Sequence, residues 1–260
     1  MNRKNAQRLV CLFLAAMAGV LGGCTQNLKS AQAWASSSQM VLVVVPDWDS
    51  DHGTLRTYTR ADGVWRAQSE SQPIVVGRAG SAWGQGLHPV PHDGPVKREG
   101  DGRAAAGVFR IGDAFGYADH AVTALDYRAM HVDDYCIDVS SSPLYNQIVD
   151  TRNADPSIVA GSTEPMRRDL HANGDQRYRL GFIIEHNAAD TPGAGSCIFA
   201  HIWASPDTPT AGCTAMDGAV MERLLAWLDP KQQPIFVLLP QAAYSRYAKA
   251  WNLPWPERQH

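Results

Sequence analysis

The sequence has few of the features that mark membrane, nucleic-acid-binding or repeat proteins. Outside its first 23 residues, no apolar segment approaches the about 20 residues that a membrane-spanning helix needs. Basic residues are not in excess, since 23 Lys and Arg stand against 26 Asp and Glu. That balance argues against a nucleic-acid partner. No internal repeat of about 20–50 residues is visible, which argues against solenoids and propellers.

Signatures for cofactors and metals are also missing. The glycine-rich stretch from Gly80 to Gly86 lacks the spacing of a dinucleotide-binding loop, and no long helical pattern follows it. His88 and His92 have the spacing of two helical metal ligands, but the prolines at 89 and 91 forbid the helix that this spacing requires. We therefore expect no organic cofactor and no metal ion.

What the sequence does contain is a series of short β-type runs, ended by Pro, Gly and Asp. They occur at 40–45, 54–58, 64–65, 73–77, 107–111, 179–186, 197–201 and 234–240. One clear helical pattern follows Asp217, at 218–228, and a short helix is predicted within 241–251. The charged stretch at 156–178 is predicted to be a loop over a cleft. The pattern predicts a mainly β fold, a β-sandwich or distorted barrel of mixed sheets, with a helix after position 213 and a few short helices.

Two adjacent stretches carry the chemistry. The apolar run Ile198-Phe199-Ala200 delivers His201, and after a loop rich in Pro, Ser and Thr the turn Thr210-Ala211-Gly212 presents Cys213. Asp217 can then cap the predicted helix. The order is strand, base, loop, nucleophile and helix start.

These residue types suit nucleophilic catalysis by a thiol. Cys213 is the candidate nucleophile and His201 its candidate base. A neighbouring imidazolium and a helix N-terminus would both lower the pKa of the thiol, which we therefore expect to be depressed. Backbone N–H groups of Ala211, Gly212 and Cys213 could hold a developing oxyanion. The alternative is that Cys213 is a small buried hydrophobic residue and His201 a hydrogen-bonded core histidine.

Other polar and aromatic residues are weaker candidates for substrate binding. They are Thr210, Lys97, Arg103, His186 and Trp203. Lys97 and Arg103 lie in a glycine-rich loop and could bind a substrate carboxylate, although a solvated charged loop is the alternative. His186 ends the preceding strand and is the rival base.

The stretch Ile-Phe-Ala-His201…Thr-Ala-Gly-Cys213-Thr resembles the active-site signature of the L,D-transpeptidases of the YkuD type. The segment at 97–109 also looks like a part of that family, and the resemblance spans roughly residues 40 to 240. The chain departs from the family pattern at Ala211, where a second His is usual, and at Ala215, where many members have Arg. The spacer between His201 and Cys213 is also shorter than usual.

The resemblance implies two mixed sheets with the cysteine on a loop at the mouth. It implies an enzyme that acts on peptidoglycan tetrapeptide stems through a thioester acyl-enzyme, with transfer to an amine or to water. The alternatives are an L,D-carboxypeptidase or amidase of the same fold, or a non-catalytic envelope lipoprotein that binds peptidoglycan. We expect a monomer whose partners are peptidoglycan stem peptides.

The first 23 residues are predicted to be a lipoprotein signal peptide. Three basic residues precede an apolar run at 9–21: Arg3, Lys4 and Arg8. Leu21-Gly22-Gly23-Cys24 then matches a lipobox, so we expect cleavage before Cys24 and lipidation of its thiol. Thr25, rather than Asp, follows, which favours sorting to the outer membrane. The expected location is the periplasm, with the lipid anchor as the only membrane contact; a plain secretory signal is the alternative.

Cleavage there would leave 237 of the 260 residues, with 20 basic and 26 acidic side chains and a net charge of −6. Residues 24–39 are rich in Ala, Ser and Gln and are predicted to be a tether. The catalytic domain is predicted at 40–240, and 241–260 is predicted to be a C-terminal extension packed on it. This length suffices for a sizeable core.

The five cysteines can be assigned one by one. Cys11 leaves with the signal, Cys24 carries the lipid and Cys213 is the nucleophile. Cys136 and Cys197 remain, and in an oxidising periplasm two such residues tend to form a disulfide. The alternative is a pair of separate buried thiols.

Overall fold

The computed structural model describes residues 33–255 except 90, 92 and 154. The described residues form fourteen strands and three α-helices, so the predicted mainly β class is confirmed. The strands are β1 Gln39–Val45, β2 His52–Ala61, β3 Val64–Ala67, β4 Gln72–Val75, β5 Ser81–Trp83, β6 Ala104–Gly116, β7 Tyr127–Ala129, β8 Asp134–Cys136, β9 Ile148–Asp150, β10 Glu164–Pro165, β11 Gly181–Ile184, β12 Phe199–Ile202, β13 Thr214–Met216 and β14 Ile235–Pro240. The helices are α1 Arg168–His171, α2 Gly218–Trp227 and α3 Gln241–Tyr247.

Eight strands close into a mixed barrel. Their order is β1-β14-β6-β11-β12-β13-β4-β2, and β2 returns to pair with β1. The pairs β1–β14 and β12–β13 are parallel, and the other pairs around the barrel are antiparallel. Closure protects the backbone groups that the edges of an open sheet would leave unpaired. Of the two predicted architectures, the molecule adopts the distorted barrel.

The barrel core is built from strands that are apolar on both faces. Six of the seven residues of β1 are buried, as is every residue of β14. The two strands run side by side from the Met40–Ile235 pair to the Val45–Pro240 pair. Because burying one such aliphatic side chain is worth about 1.5–3 kcal/mol, this pair of strands anchors one wall of the barrel.

Helix α2 closes the barrel next to the predicted site. Asp217 Oδ1 accepts a hydrogen bond from the Ala219 N–H at 2.8 Å, which caps the first turn as predicted. The helix packs against β11 and β12. Its buried positions follow helical spacing: Val220, Met221, Leu224 and Leu225. This contact fixes β12, the strand that carries His201.

Both ends of the described chain are packed on the barrel. Trp34 is buried and its Nε1–H donates to the Trp251 carbonyl at 3.1 Å. The packed structure thus begins inside the segment predicted as a tether, while Trp251 and Leu253 bury part of the predicted extension. The signal peptide, Cys24 and the rest of the tether lie outside the described residues. Across 33–255, apart from the three omitted positions, no helix has the length and apolar character to cross a membrane.

A second, three-stranded sheet stands beside the barrel, in the order β10-β8-β9. It is tied to the barrel by the disulfide between Cys136, at the end of β8, and Cys197, just before β12, with Cα atoms 6.0 Å apart. These are the two cysteines that the sequence analysis paired. The stretch 156–178, predicted to be a loop, contains β10 and α1, and its Met166 and Tyr178 pack against the outer face of the barrel.

Candidate active site

Two parallel strands place the candidate nucleophile and the candidate base on one face. In the pairing of β12 with β13, Ala200 lies opposite Thr214 and His201 opposite Ala215. Cys213, one residue before β13, therefore lies beside Phe199, whose N–H points at Cys213 Sγ at 3.3 Å. Because side chains alternate along a strand, His201 points to the same side as Phe199 and Cys213.

That side faces away from the main core, which Ala200, Ile202 and Met216 enter, so the cysteine lies not at a barrel mouth, as the resemblance implied, but on a cleft of about 450 Å³ outside the barrel, next to the small sheet. Its lining includes Cys213 and His201 together with Trp203, Thr210 and Ala211 of the predicted site. The cleft is completed by residues that the sequence analysis did not select: Glu164, Arg168, Arg177, Tyr178, Ala204, Thr208, Pro209 and Ala215. The thiol and the imidazole therefore border one space, although both side chains are buried.

The environment of His201 keeps its ring neutral. Its Nδ1 lies 2.7 Å from the Ile202 carbonyl, an acceptor, so Nδ1 carries the proton and Nε2 the lone pair. No described residue forms a hydrogen bond with Nε2. Burial lowers the pKa of His201 to about 4, opposed by the Ile202 carbonyl and aided by the nearby charges of Arg177 and Arg168. The ring is neutral at pH 7 and can accept a proton.

The thiol of Cys213 is held in its neutral form. Its Sγ–H donates to the Cys197 carbonyl at 3.5 Å, and Sγ accepts from the Phe199 N–H. Burial raises the pKa of Cys213 to about 12, and the carboxyl of Glu164 adds to the rise.

The expectation of a depressed thiol pKa is therefore wrong. The helix expected to lower it begins at Gly218, with β13 between it and Cys213, so the thiol is not at a helix N-terminus. His201 cannot supply a positive charge either, since its ring is neutral. The cost of removing the thiolate from water therefore determines the pKa of Cys213.

Two of the three predicted oxyanion donors remain available. The Gly212 N–H donates to Thr210 Oγ1 at 3.1 Å, and the same hydroxyl donates to the Cys213 carbonyl at 2.7 Å. Gly212 is thus occupied in holding the turn. No described residue accepts from the N–H of Ala211 or of Cys213, so these two groups are free to bind an oxyanion. The hydroxyl of Thr210 thus stabilises this turn, and the residue also lines the cleft.

Lys97 and Arg103, predicted to bind substrate, do not line the cleft. Lys97 is buried, and its Nζ donates to Asp101 Oδ1 at 2.6 Å and to the Arg98 carbonyl at 2.8 Å. The Arg103 guanidinium donates to the Trp48 and Ser81 carbonyls and to Asp49 Oδ1. Lys97 thus donates within its own loop and Arg103 to the segments at 48–49 and Ser81, which the charge pattern alone could not reveal.

His186, the rival candidate, has no free ring nitrogen in the described structure. Its Nδ1 accepts from the Gln85 N–H at 3.1 Å, so its Nε2 donates to the Ala194 carbonyl at 2.9 Å. Both ring nitrogens are used in tying together two loops, and the ring does not line the cleft of Cys213. Burial lowers the pKa of His186 to about 4, which keeps it neutral in this structural role.

The residues that sequence reasoning missed come from the charged stretch 156–178. Glu164 lies in β10 and Arg168 in α1, while Arg177 and Tyr178 precede β11. Tyr178 stacks edge-on against His201, with ring centroids 5.0 Å apart, and its hydroxyl interacts with both Glu164 and the Cys213 sulfur. The density of Arg and acidic residues in this stretch was the available signal.

Comparison with known proteins yields little. No protein-family model and no curated protein sequence matches the chain. Among solved structures, the chain is similar to the helical cell shape determining protein Pgp2 from Campylobacter jejuni, with 12% identity and a TM-score of 0.39. The match covers 83% of this chain and 55% of that one, so the chain spans about half the length of that structure.

Proposed function

We propose that this protein is a cysteine-dependent acyltransferase of the L,D-transpeptidase kind. The observation that carries the proposal is that His201 and Cys213 lie on one face of the β12–β13 pair, with Nδ1 of the imidazole bound to the Ile202 carbonyl. This leaves a basic Nε2 and a thiol on a shared cleft.

The two neutral groups define how the reaction begins. Because burial disfavours a free thiolate, the proton moves from Cys213 Sγ to His201 Nε2 as the sulfur bonds to the substrate carbonyl carbon. The carbonyl oxygen becomes an oxyanion within reach of the Ala211 and Cys213 N–H groups. When this intermediate collapses, the peptide C–N bond breaks and His201 returns its proton to the leaving amine.

The thioester is then consumed by a second nucleophile. An amine or a water gives its proton to His201 Nε2 as it attacks the thioester carbonyl, and Cys213 leaves with that proton restored. Transfer to an amine makes a cross-link or attaches a protein; transfer to water makes the enzyme an L,D-carboxypeptidase.

The substrate class is supported by the sequence signature around His201 and Cys213, which resembles that of L,D-transpeptidases. We infer a tetrapeptide stem of peptidoglycan as donor, cleaved between the diamino acid and the terminal D-Ala. A cleft that holds both cationic and acidic side chains suits such a charged peptide.

The decisive experiment is mass spectrometry of purified tetrapeptide muropeptides after incubation with the protein. Cross-linked dimers would identify a transpeptidase, and tripeptides a carboxypeptidase; both should vanish in the Cys213→Ala variant. Cleavage at a different bond would indicate an amidase. If the wild type gives no product and no thioester adduct, the proposed activity is wrong and a binding lipoprotein becomes the better interpretation.

We also propose that the protein is anchored in the envelope by a lipid on Cys24, since Leu21-Gly22-Gly23-Cys24 matches a lipobox. Palmitate labelling of the wild type and of Cys24→Ala tests this. Labelling that survives the substitution, or that is absent from the wild type, contradicts the anchor.

A further inference from the structure

The hydrogen-bond ladder between β12 and β13 is interrupted at its start. In this parallel pair Met216 lies opposite Ile202, and the Met216 carbonyl accepts from the Trp203 N–H at 2.8 Å. Because alternate residues of a parallel strand bond to the same neighbour, the residues at 214 and 212 should bond to β12 in the same way. Gly212 does not, since its N–H donates to Thr210 Oγ1. This leaves a gap in the ladder between the two chains.

The thiol of Cys213 fills this gap. Its Sγ–H donates to the Cys197 carbonyl at 3.5 Å, and its Sγ accepts from the Phe199 N–H at 3.3 Å. In a regular ladder the backbone of Gly212 would bind these same two groups, which lie two residues apart on the neighbouring chain. Two backbone groups therefore help to set the direction of the S–H bond.

The two backbone groups are not held equally. Phe199 lies within β12, which pairs with β11 on one side and with β13 on the other. Cys197 precedes the strand and has a φ of +55°, a left-handed conformation that a residue other than glycine keeps only when its surroundings impose it. The carbonyl of Cys197 therefore needs a constraint from outside the ladder.

Asn146 supplies such a constraint from the loop between β8 and β9. Its Oδ1 accepts from the Cys197 N–H at 2.9 Å. Its Nδ2 donates to the carbonyls of His186 and Asn187 at 3.3 and 3.1 Å, and to Asp190 Oδ1 at 3.2 Å. Since the oxygen faces a donor and the nitrogen faces three acceptors, the amide is satisfied in only one orientation. Asn146 thus joins Cys197 to the loop that follows β11.

We propose that Asn146 is a positioning residue for the nucleophile: by holding the backbone of Cys197, it fixes the carbonyl that accepts the Cys213 thiol. The described lining of the cleft does not include Asn146, so it acts through Cys197 and not on substrate. Its consequence for catalysis rests on the proposed function, but its effect on the thiol can be measured without substrate. When the carbonyl moves away, the neutral thiol loses an acceptor, and the pKa of Cys213, which burial raises to about 12, should fall.

Three variants separate this role from a general loss of stability. Asn146→Gly keeps the backbone, whose φ of +67° suits glycine, and removes all the hydrogen bonds of the side chain. Asn146→Asp keeps an acceptor for the Cys197 N–H but sets its second oxygen against three acceptors. Tyr145→Phe is the matched control, because it removes a hydroxyl that accepts from the Gly195 N–H at 3.0 Å, two residues before Cys197. All three should lower the free energy of unfolding.

The rate at which iodoacetamide alkylates Cys213 is measured by peptide mass spectrometry across the alkaline pH range, on folded protein. We expect Asn146→Gly to react about threefold to tenfold faster than the wild type, with its profile moved to lower pH, because one net hydrogen bond is worth about that factor. Tyr145→Phe should leave the profile in place, and the carboxylate of Asn146→Asp can move it only to higher pH. The titratable and charged groups that face the thiol are the same in every variant: Glu164, Arg168, Arg177, Tyr178, His201 and Lys97.

A shift to lower pH in Asn146→Gly that the other two variants do not share supports the positioning role. The role is wrong if all three profiles move together, if Asn146→Asp moves like Asn146→Gly, or if no profile moves. Should Asn146→Gly fail to fold, Asn146→Ser takes its place, because its hydroxyl is one atom closer to the backbone than the amide oxygen.

Turnover separates this inference from the proposed function. With muropeptides, Asn146→Gly should lower kcat by about threefold to tenfold and leave KM nearly unchanged, because the sulfur is less well aligned while the cleft is intact. If the wild type forms no thioester but its alkylation responds to Asn146 as described, the positioning role stands and the activity is wrong. If the thioester forms and neither alkylation nor kcat responds to Asn146, the proposed function stands and this inference is wrong.

Discussion

At the scale of single residues, the site depends on which ring nitrogen holds a proton. His201 and His186 are both buried and both neutral, but only His201 keeps an unoccupied Nε2. His201→Ala should reduce turnover about 10²–10⁴-fold, the usual contribution of a general base. His186→Ala is the matched control and should retain most activity, provided that the variant folds. Steady-state rates with muropeptides test this; an inactive but folded His186→Ala beside an active His201→Ala would reverse the assignment.

The turn before Cys213 can be tested by changing Thr210, which leaves the thiol itself unaltered. Its hydroxyl accepts from Gly212 and donates to the Cys213 carbonyl, so it holds the turn that presents the thiol. Thr210→Val keeps the shape and removes both hydrogen bonds, which should lower the free energy of unfolding by about 1–3 kcal/mol and reduce kcat. Thr210→Ser keeps the hydroxyl and should restore both. Urea unfolding and turnover measure the effect; equal losses in Val and Ser variants would contradict it.

These residues also show where sequence reasoning ends. The strand, loop, turn and helix around His201 and Cys213 could be predicted because β-type runs, an N-cap and a Gly-containing turn have local signals. The thiol pKa could not, since it depends on burial by distant elements and on Glu164, about 50 residues away in the chain. For the same reason Lys97 and Arg103 looked available in sequence but are hydrogen-bonded in the fold.

At the scale of elements, the disulfide and the site are connected through one strained residue. Cys197 has a φ of +55°, the left-handed region, and its N–H donates to Asn146 Oδ1 at 2.9 Å. Its carbonyl accepts the Cys213 thiol. The bond to Cys136 therefore helps to hold the acceptor that keeps the thiol in place.

Removal of the bridge in a Cys136→Ala, Cys197→Ala double variant should lower the free energy of unfolding by about 2–5 kcal/mol.

In the native protein we expect Cys213 to react slowly with iodoacetamide near neutral pH, because burial keeps the thiol protonated. The double variant should react faster, since the carbonyl is no longer fixed. Alkylation rates of Cys213 in both proteins test this. A stability loss with an unchanged alkylation rate would mean that the bridge does not position the thiol.

Closure of the barrel was the feature of the fold that the sequence predicted least well. The strands had local patterns, yet sandwich and barrel remained open because no local signal tells whether β2 returns to β1. The parallel neighbours β1 and β14 are about 190 residues apart in the chain, so only the folded core decides their pairing. The small sheet beside the barrel, with strands of two or three residues, was too short to detect.

At the scale of the whole molecule, three buried histidines make stability depend on pH. Burial lowers the pKa of His88, His186 and His201 to about 4, against an ordinary value of about 6.5 in the unfolded chain. Between these values the unfolded chain holds a proton on each ring and the folded chain does not. Stability therefore falls as pH decreases from about 6.5 toward 4, and changes little above that window.

The size of this effect identifies its source. Near pH 5 the three rings should take up about three protons on unfolding, which changes the free energy of unfolding by about 4 kcal/mol per pH unit. Most carboxylates contribute little there, because unfolded Asp and Glu titrate near pH 3.9 and 4.3, but burial raises the pKa of Glu164, so this group releases a proton on unfolding and offsets up to about one of the three. His52 adds nothing of the same sign, since its partner Asp51 raises its pKa and it is protonated in both states. Urea unfolding at pH 7, 5.5 and 4.5 measures the slope. A slope near zero at pH 5 would mean that these rings are protonated within the fold, and would remove the neutral base on which the proposed mechanism depends.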